Sequence, residues 1–154
     1  MFNEFLIKLL EERDRIVLTD MIHQIVAMMT FCKSRYNKNY IWELSRYACK
    51  IDTTVVGGFS KLLSQFRKIH YGSIISYADL TISNGNVYIK NGFMLIKKNP
   101  PGYSYVNDFS KRYHRANFRK NKIAPNDPRP EHEIMYEKGY YQIWDCGTLA
   151  FGLN

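Results

Sequence analysis

Apolar positions change their period along this chain, and each change marks an element. Phe2, Phe5, Leu6, Leu9 and Leu10 recur at helical spacing, which predicts an amphipathic helix over residues 2–13 with Glu11, Glu12 and Arg13 in its last turn. Ile22 to Lys33 is an apolar run rich in Ile, Val, Met and Phe and reads as a strand. His23 at its start reads as a surface or edge residue rather than a ligand. After a polar turn over 34–39, Tyr40 to Lys50 alternates, with Glu43, Ser45 and Tyr47 on one face and Trp42, Leu44 and Arg46 on the other. The two strands read as an antiparallel hairpin. Gly57-Gly58 then turns the chain into a helix whose Leu62, Leu63, Phe66 and Ile69 share one face.

Ser73 to Asp79 reads as a central strand. Asn84 is placed to cap a short helix closed by Asn91-Gly92. Met94 to Ile96 continues as a strand, and Tyr103 to Val106, beyond the turn Asn99-Pro100-Pro101-Gly102, reads as a strand paired with it. Glu131 to Lys138 begins with acids suited to the positive end of a helix and stops at Gly139, and Tyr140 to Asp145 reads as a last strand. The order of elements predicts an α/β (α+β) fold: a mixed, mostly antiparallel central sheet with helices on both faces, in a single domain over residues 1–154.

Length and composition fit that reading. A chain of 154 residues with 45% hydrophobic and 15% aromatic content can build a real core. Twenty-two Lys and Arg against fourteen Asp and Glu leave a net charge of +8. Such an excess points to a polyanionic partner, nucleic acid before an anionic membrane surface. The cations concentrate in 107–130, where Lys111, Arg112, Arg115, Arg119, Lys120, Lys122 and Arg129 face only Asp108 and Asp127, with Tyr113, His114 and Phe118 interleaved. Cations bind phosphates and rings stack on unpaired bases, so this segment is the candidate nucleic-acid interface; a solvated charged face is the alternative. Cys32, Cys49 and Cys146 are odd in number and form no C-x-x-C pair, which suits a reducing cytoplasm. Neither a signal peptide nor an apolar run of about 18 residues is expected, and hence no membrane partner.

Three places carry candidate chemistry. Glycines before a helix leave N–H groups uncovered at the positive end of its dipole, so Gly57, Gly58, Phe59, Ser60 and Lys61 form a candidate phosphate site. Two glycines making a strand-to-helix turn explain the same residues without a ligand. Glu43 is the one acid between Asp20 and Asp52 and has apolar neighbours, the surroundings in which a carboxylate can serve as a base; a salt-bridged sheet residue is the other reading. Asp79 falls at the C-terminal end of its strand, where open sheets bind ligands, and is equally placed to cap the next turn. His132 between Glu131 and Glu133 has no second His at ligand spacing, so no metal is expected.

The string Val56-Gly57-Gly58-Phe59-Ser60-Lys61-Leu62-Leu63 resembles the pyrophosphate loop and helix of GNAT-type N-acyltransferases, and Tyr88-Ile89-Lys90-Asn91-Gly92-Phe93 resembles that fold's Tyr-x-x-x-Gly-Phe element. The wider string, through Glu43-Leu44-Ser45-Arg46-Tyr47 and Tyr103-Ser104-Tyr105-Val106, is similar to a phage GNAT-like domain found alone or fused to very-short-patch-repair-like homing endonucleases. It covers residues 15–146. The usual loop carries Arg or Gln and then Gly-x-Gly or Gly-x-Ala; here the two glycines are adjacent. The resemblance implies an acyl-CoA or related acyl donor at Gly57–Lys61, with Tyr88 protonating the leaving group and Glu43 or Asp79 taking the acceptor's proton. It implies an acyl or aminoacyl transferase acting on or at nucleic acid, with DNA the expected partner, in the cytoplasm of a phage host. A catalytically idle, GNAT-shaped module that positions a partner on DNA is the alternative. Neither a nuclease constellation, a Ser-His-Asp order nor a Walker loop stands out.

Overall fold

The computed structural model describes residues 6–10, 15–20, 22–108 and 110–154, the first stretch by its backbone alone. The fold is mixed α+β. A large sheet runs in the order β1 (Leu6–Leu10), β2 (Arg15–Thr19), β3 (Ile25–Lys33), β4 (Trp42–Cys49), β5 (Ile74–Asp79), β10 (Thr148–Leu153) and β6 (Met94–Asn99). Every neighbouring pair in it is antiparallel except β4 with β5. A smaller sheet of β8 (Tyr113–His114), β7 (Tyr103–Val106) and β9 (Tyr141–Trp144) is inserted between β6 and β10.

Helix α1 (Gly58–Ile69) lays Phe59, Leu62, Leu63 and Phe66 on the large sheet. They meet Ile16 and Leu18 of β2, Met29 and Phe31 of β3, Trp42 and Leu44 of β4, and Phe151 of β10 in one apolar core. Phe66 stacks on Phe31 and meets the edge of Trp42. Val87 and Tyr88 of α2 (Asn86–Lys90) pack against the same core. The small sheet is covered by a 3-10 turn over Arg115–Phe118, with α3 (Lys120–Ile123) following it and α4 (Glu131–Glu137) packing against β9. No helix among the described residues is long and apolar enough to cross a membrane.

Several expectations change here. The helix expected over 2–13 is replaced at Leu6–Leu10 by β1, which pairs with β2; the rest of that span lies outside the described residues. Leucines at helical spacing supply a strand just as well when a neighbouring strand offers its backbone, and tertiary pairing wins. Strand β7 does not pair with β6. It joins β8 and β9, while β6 pairs with β10, a strand that the apolar pattern does not reveal. The alternation expected along β4 also breaks: Trp42, Glu43 and Leu44 are all buried, while Ser45 and Arg46 are exposed.

A bulge explains the break. On β3, Thr30 faces Arg46 and Phe31 faces Leu44, so Ser45 has no rung of its own. Trp42 and Tyr47 would point to opposite faces of a regular strand. Instead both touch α1, Trp42 at Phe66 and Tyr47 at Phe59. Because Phe66 is fully buried between β3, β4 and α1, Phe66→Ala is expected to cost about 3–5 kcal/mol. Chemical denaturation should show a lower midpoint with an unchanged slope.

Candidate functional site

The β4–β5 ladder has three rungs: Trp42↔Ile74, Glu43↔Ile75 and Leu44↔Ser76. Both strands continue past it, β4 to Cys49 held by β3 and β5 to Asp79 held by β10. A gap between neighbouring parallel strands results, and it opens at the bulged Ser45. Ser76 marks its floor. This buried hydroxyl sits among apolar core positions, donates to Leu44 O at 2.9 Å and shares a 3.0 Å hydrogen bond with the Tyr88 hydroxyl. Tyr88 reaches this point from α2, stacked on Phe151 and edge-on to Phe59 and Phe93.

On the opposite face of the sheet, beside the same rungs, lies a cavity of about 280 Å³ lined by Arg35, Tyr36, Glu43, Ser45, Tyr77 and Thr148. Glu43 is only 2% exposed. Its carboxylate accepts from the Arg35 guanidinium and, at 3.3 Å, from the Arg35 backbone N–H. Burial, and then the Glu43 charge, push the Tyr77 hydroxyl above its ordinary range. Tyr47 is likewise raised, first by burial and then by its hydrogen bond with Cys49.

The loop before α1 is built for close approach. Gly57 caps the helix at φ 69°, a left-handed conformation that costs an L side chain strain. Gly58 lies against Tyr47 and Val55: a Cβ there would come within 2.9 Å of the Tyr47 hydroxyl. Gly57, Ser60 and Lys61 are at the surface, whereas Gly58 and Phe59 are buried. The Phe59 ring belongs to the core, which leaves only its backbone to face a ligand. Ser60 Oγ donates back to Gly57 O at 2.9 Å. From this loop a groove of about 430 Å³ follows α1 past Ser60, Leu63, Ser64, Arg67 and Lys68, with Asn91 on its other wall. Sequence reasoning did not single out Arg67 and Lys68. Their signal was the helical stripe they share with Ser60, seven and eight residues on.

Asp79 is exposed, and its carboxylate accepts the Thr81 N–H at 2.8 Å, so it caps the turn after β5. Tyr88, Ser76 and Glu43 are therefore brought to the gap, and the start of α1 comes near it through Phe59, which meets Tyr88, and Gly58, which lies against Tyr47.

The basic residues stand apart on the small-sheet insertion. Lys111, Arg112, Arg115 and Arg119 are exposed and Lys120 half-buried. Lys111 lies over the Tyr113 ring and Arg115 over the Tyr103 ring. Arg129 differs: it is tied to Asp127 and Glu137. Of the interleaved aromatics, Tyr113 and Phe118 turn inward, Phe118 packing on Tyr105, Tyr113 and Tyr140. Among the described residues no group of three His, Cys, Asp or Glu is arranged to hold a metal ion.

Comparison with protein-family models finds no match, and comparison with curated proteins finds none either. Gly57→Ala is expected to lower stability by about 1–2 kcal/mol through the left-handed backbone, with Gly57→Asn costing less. Urea unfolding of the two variants tests this.

Proposed function

We propose that the chain is a GNAT-like acyl or aminoacyl transferase that works on or at nucleic acid. The observation that carries this reading is the parallel β4–β5 pair that separates after Leu44 and Ser76, with a tyrosine hydroxyl at the floor of the gap and a glycine-led helix start beside it. A strand gap of that kind can admit an extended thioester arm between two backbones without unpairing either strand from its other neighbour.

The residues fit an acyl-CoA-like donor. Gly57 holds a left-handed turn at the helix start with Ser60 Oγ as its near neighbour, and the groove along α1 ends in two cations, Arg67 and Lys68, suited to a nucleotide's phosphates. Such a donor supplies an activated acyl group. Tyr88 Oη would release a proton to the departing group, and the positive end of the α1 dipole would favour the donor's negative charge. The acceptor occupies the cavity on the far face, where Tyr77 and Glu43 orient an amine. Taking its proton requires the acceptor to displace Arg35 from the carboxylate, which is feasible because the Arg35 side chain is more than half exposed. Asp79, occupied with its own turn, has no part in this scheme. The exposed cations of 111–122 would hold the polyanion to which the acceptor belongs.

One observation favours a catalytically idle positioning module instead: both oxygens of Glu43 already accept from Arg35. Calorimetric titration with coenzyme A and acetyl-coenzyme A separates the readings. Saturable binding is expected, abolished by Gly57→Glu and weakened about tenfold or more by the double change Arg67→Glu and Lys68→Glu. Absence of binding at millimolar ligand would remove the donor assignment.

With an acceptor in hand, Tyr88→Phe is expected to lower turnover about 10²- to 10⁴-fold while leaving the donor KM unchanged. A parallel rise in KM would instead point to a packing role. Retention on DNA should fall steeply with salt. Replacing Lys111, Arg112, Arg115 and Arg119 by Ala should flatten the log–log slope by about one for each phosphate that is no longer neutralised.

A further inference from the structure

We propose that Trp144 is a stacking platform for an unpaired nucleobase, so that the insertion selects single-stranded nucleic acid over duplex. This rests on the nucleic-acid reading above and narrows it. The aromatics within the basic segment are spent on the core of the small sheet: Tyr113 and Phe118 pack with Tyr105 and Tyr140. Trp144 is not. It is 58% exposed at the end of β9, while the chain's other tryptophan, Trp42, is 7% exposed, carries Lys33 over its ring and donates its indole N–H to Tyr71 O.

The position of Trp144 is fixed on one side and open on the other. It is the cross-strand partner of Tyr103, and the two rings lie 4.9 Å apart at 52°. Tyr103 is itself tied, its hydroxyl donating to Glu131 at 3.1 Å. The next residue, Asp145, is clamped: its carboxylate accepts from Gly102 N and Gly147 N, both at 2.8 Å, and its own N–H donates to Gly102 O at 2.9 Å. Those backbone N–H groups hold the Asp145 carboxyl below its ordinary range. A large ring packed against Tyr103 at a clamped strand end presents an apolar face with a reduced ordering cost when a base lands on it. Arg115 brings a cation over the neighbouring Tyr103 ring, its guanidinium carbon 5.3 Å from the centroid. A nucleotide needs a ring for its base and a cation nearby for its phosphate, and Tyr103 is in contact with both the Trp144 ring and the Arg115 guanidinium. In a duplex both faces of each base are already covered, so the platform discriminates by strandedness rather than by sequence.

The chain from this platform leads straight to the gap. Gly147 O accepts the Leu80 N–H at 3.0 Å, and Thr148, which lines the Glu43 cavity, pairs with Asp79 at the end of β5. A base stacked on Trp144 is thus held on the segment that forms one side of the acceptor cavity.

The test is titration of the full chain with a single strand of about 12 nucleotides and with the duplex of the same sequence, read by tryptophan fluorescence. Expected are quenching by the single strand, its absence in Trp144→Phe, and affinity for the single strand lowered about 5- to 150-fold in Trp144→Ala. The salt slope should stay unchanged, and Trp144→Phe should bind nearly as the parent does. Single-strand binding that neither quenches nor weakens in Trp144→Ala, or tighter binding of the duplex, overturns the stacking proposal and leaves nucleic-acid binding standing. Absence of binding to either form overturns both.

Discussion

The structure turns on a ladder that stops. Parallel strands β4 and β5 share only three rungs, although each goes on pairing with its other neighbour. Two local features coincide at the stop. The bulge removes Ser45 from the β3 ladder and bends β4, and Ser76 takes the Leu44 carbonyl with its side chain. A bulge raises local twist, so two parallel strands held apart at their outer sides diverge from this point on. The cavity at Glu43 and the floor at Tyr88 both follow from that divergence.

A buried hydroxyl pair lies at the divergence, and its surroundings explain why it persists. Ser76 is 1% exposed, and leaving such a group unpaired costs about 1–3 kcal/mol. The Leu44 carbonyl and the Tyr88 hydroxyl satisfy it together, which binds α2 to β5 through a polar contact inside an apolar core. Aromatic packing on Tyr88 from Phe59, Phe93 and Phe151 holds the hydroxyl there. Glu43, one rung back and on the other face, is neutralised by Arg35. The two faces of one short ladder therefore differ sharply: a neutral hydroxyl pair in the core on one side, an ion pair lining a cavity on the other.

Much of this was legible in the sequence. The mixed, mostly antiparallel fold follows from the run of apolar periods. The Gly57-Gly58 helix start, β5 and the short α2 appear where the pattern puts them, except that α2 is capped by Gly85 at φ 78° rather than by Asn84, whose side chain accepts the Asn86 N–H in the turn before it. What failed depended on partners far along the chain. Leu6–Leu10 is a strand because β2 pairs with it. Strand β10 was unreadable since its burial is continuous rather than alternating and its neighbours, β5 and β6, lie some fifty to eighty residues away. The bulge at Ser45 leaves no local mark either, so Glu43 could be chosen as a candidate while its cavity could not. Arg67 and Lys68 were visible as cations, but only the fold brings Asn91 across from them to make a groove.

The distribution of charge and rings along the insertion explains how its residues divide their work. Phe118 and Tyr113 stand among the cations in sequence, yet the small sheet has few aliphatic side chains with which to build a core and uses these rings instead. Burying them forces Lys111, Arg112, Arg115 and Arg119 outward, so the cations are exposed as a consequence of packing and need no ligand to account for their placement. Trp144 has no such account. A large apolar ring costs roughly 25 cal/mol for each Å² it leaves in water, and Tyr103 beside it covers only one face. Among the features of the insertion, the exposed rings of Trp144 and of the Tyr136–Tyr141 pair, more than the positive charge, are what packing alone does not explain.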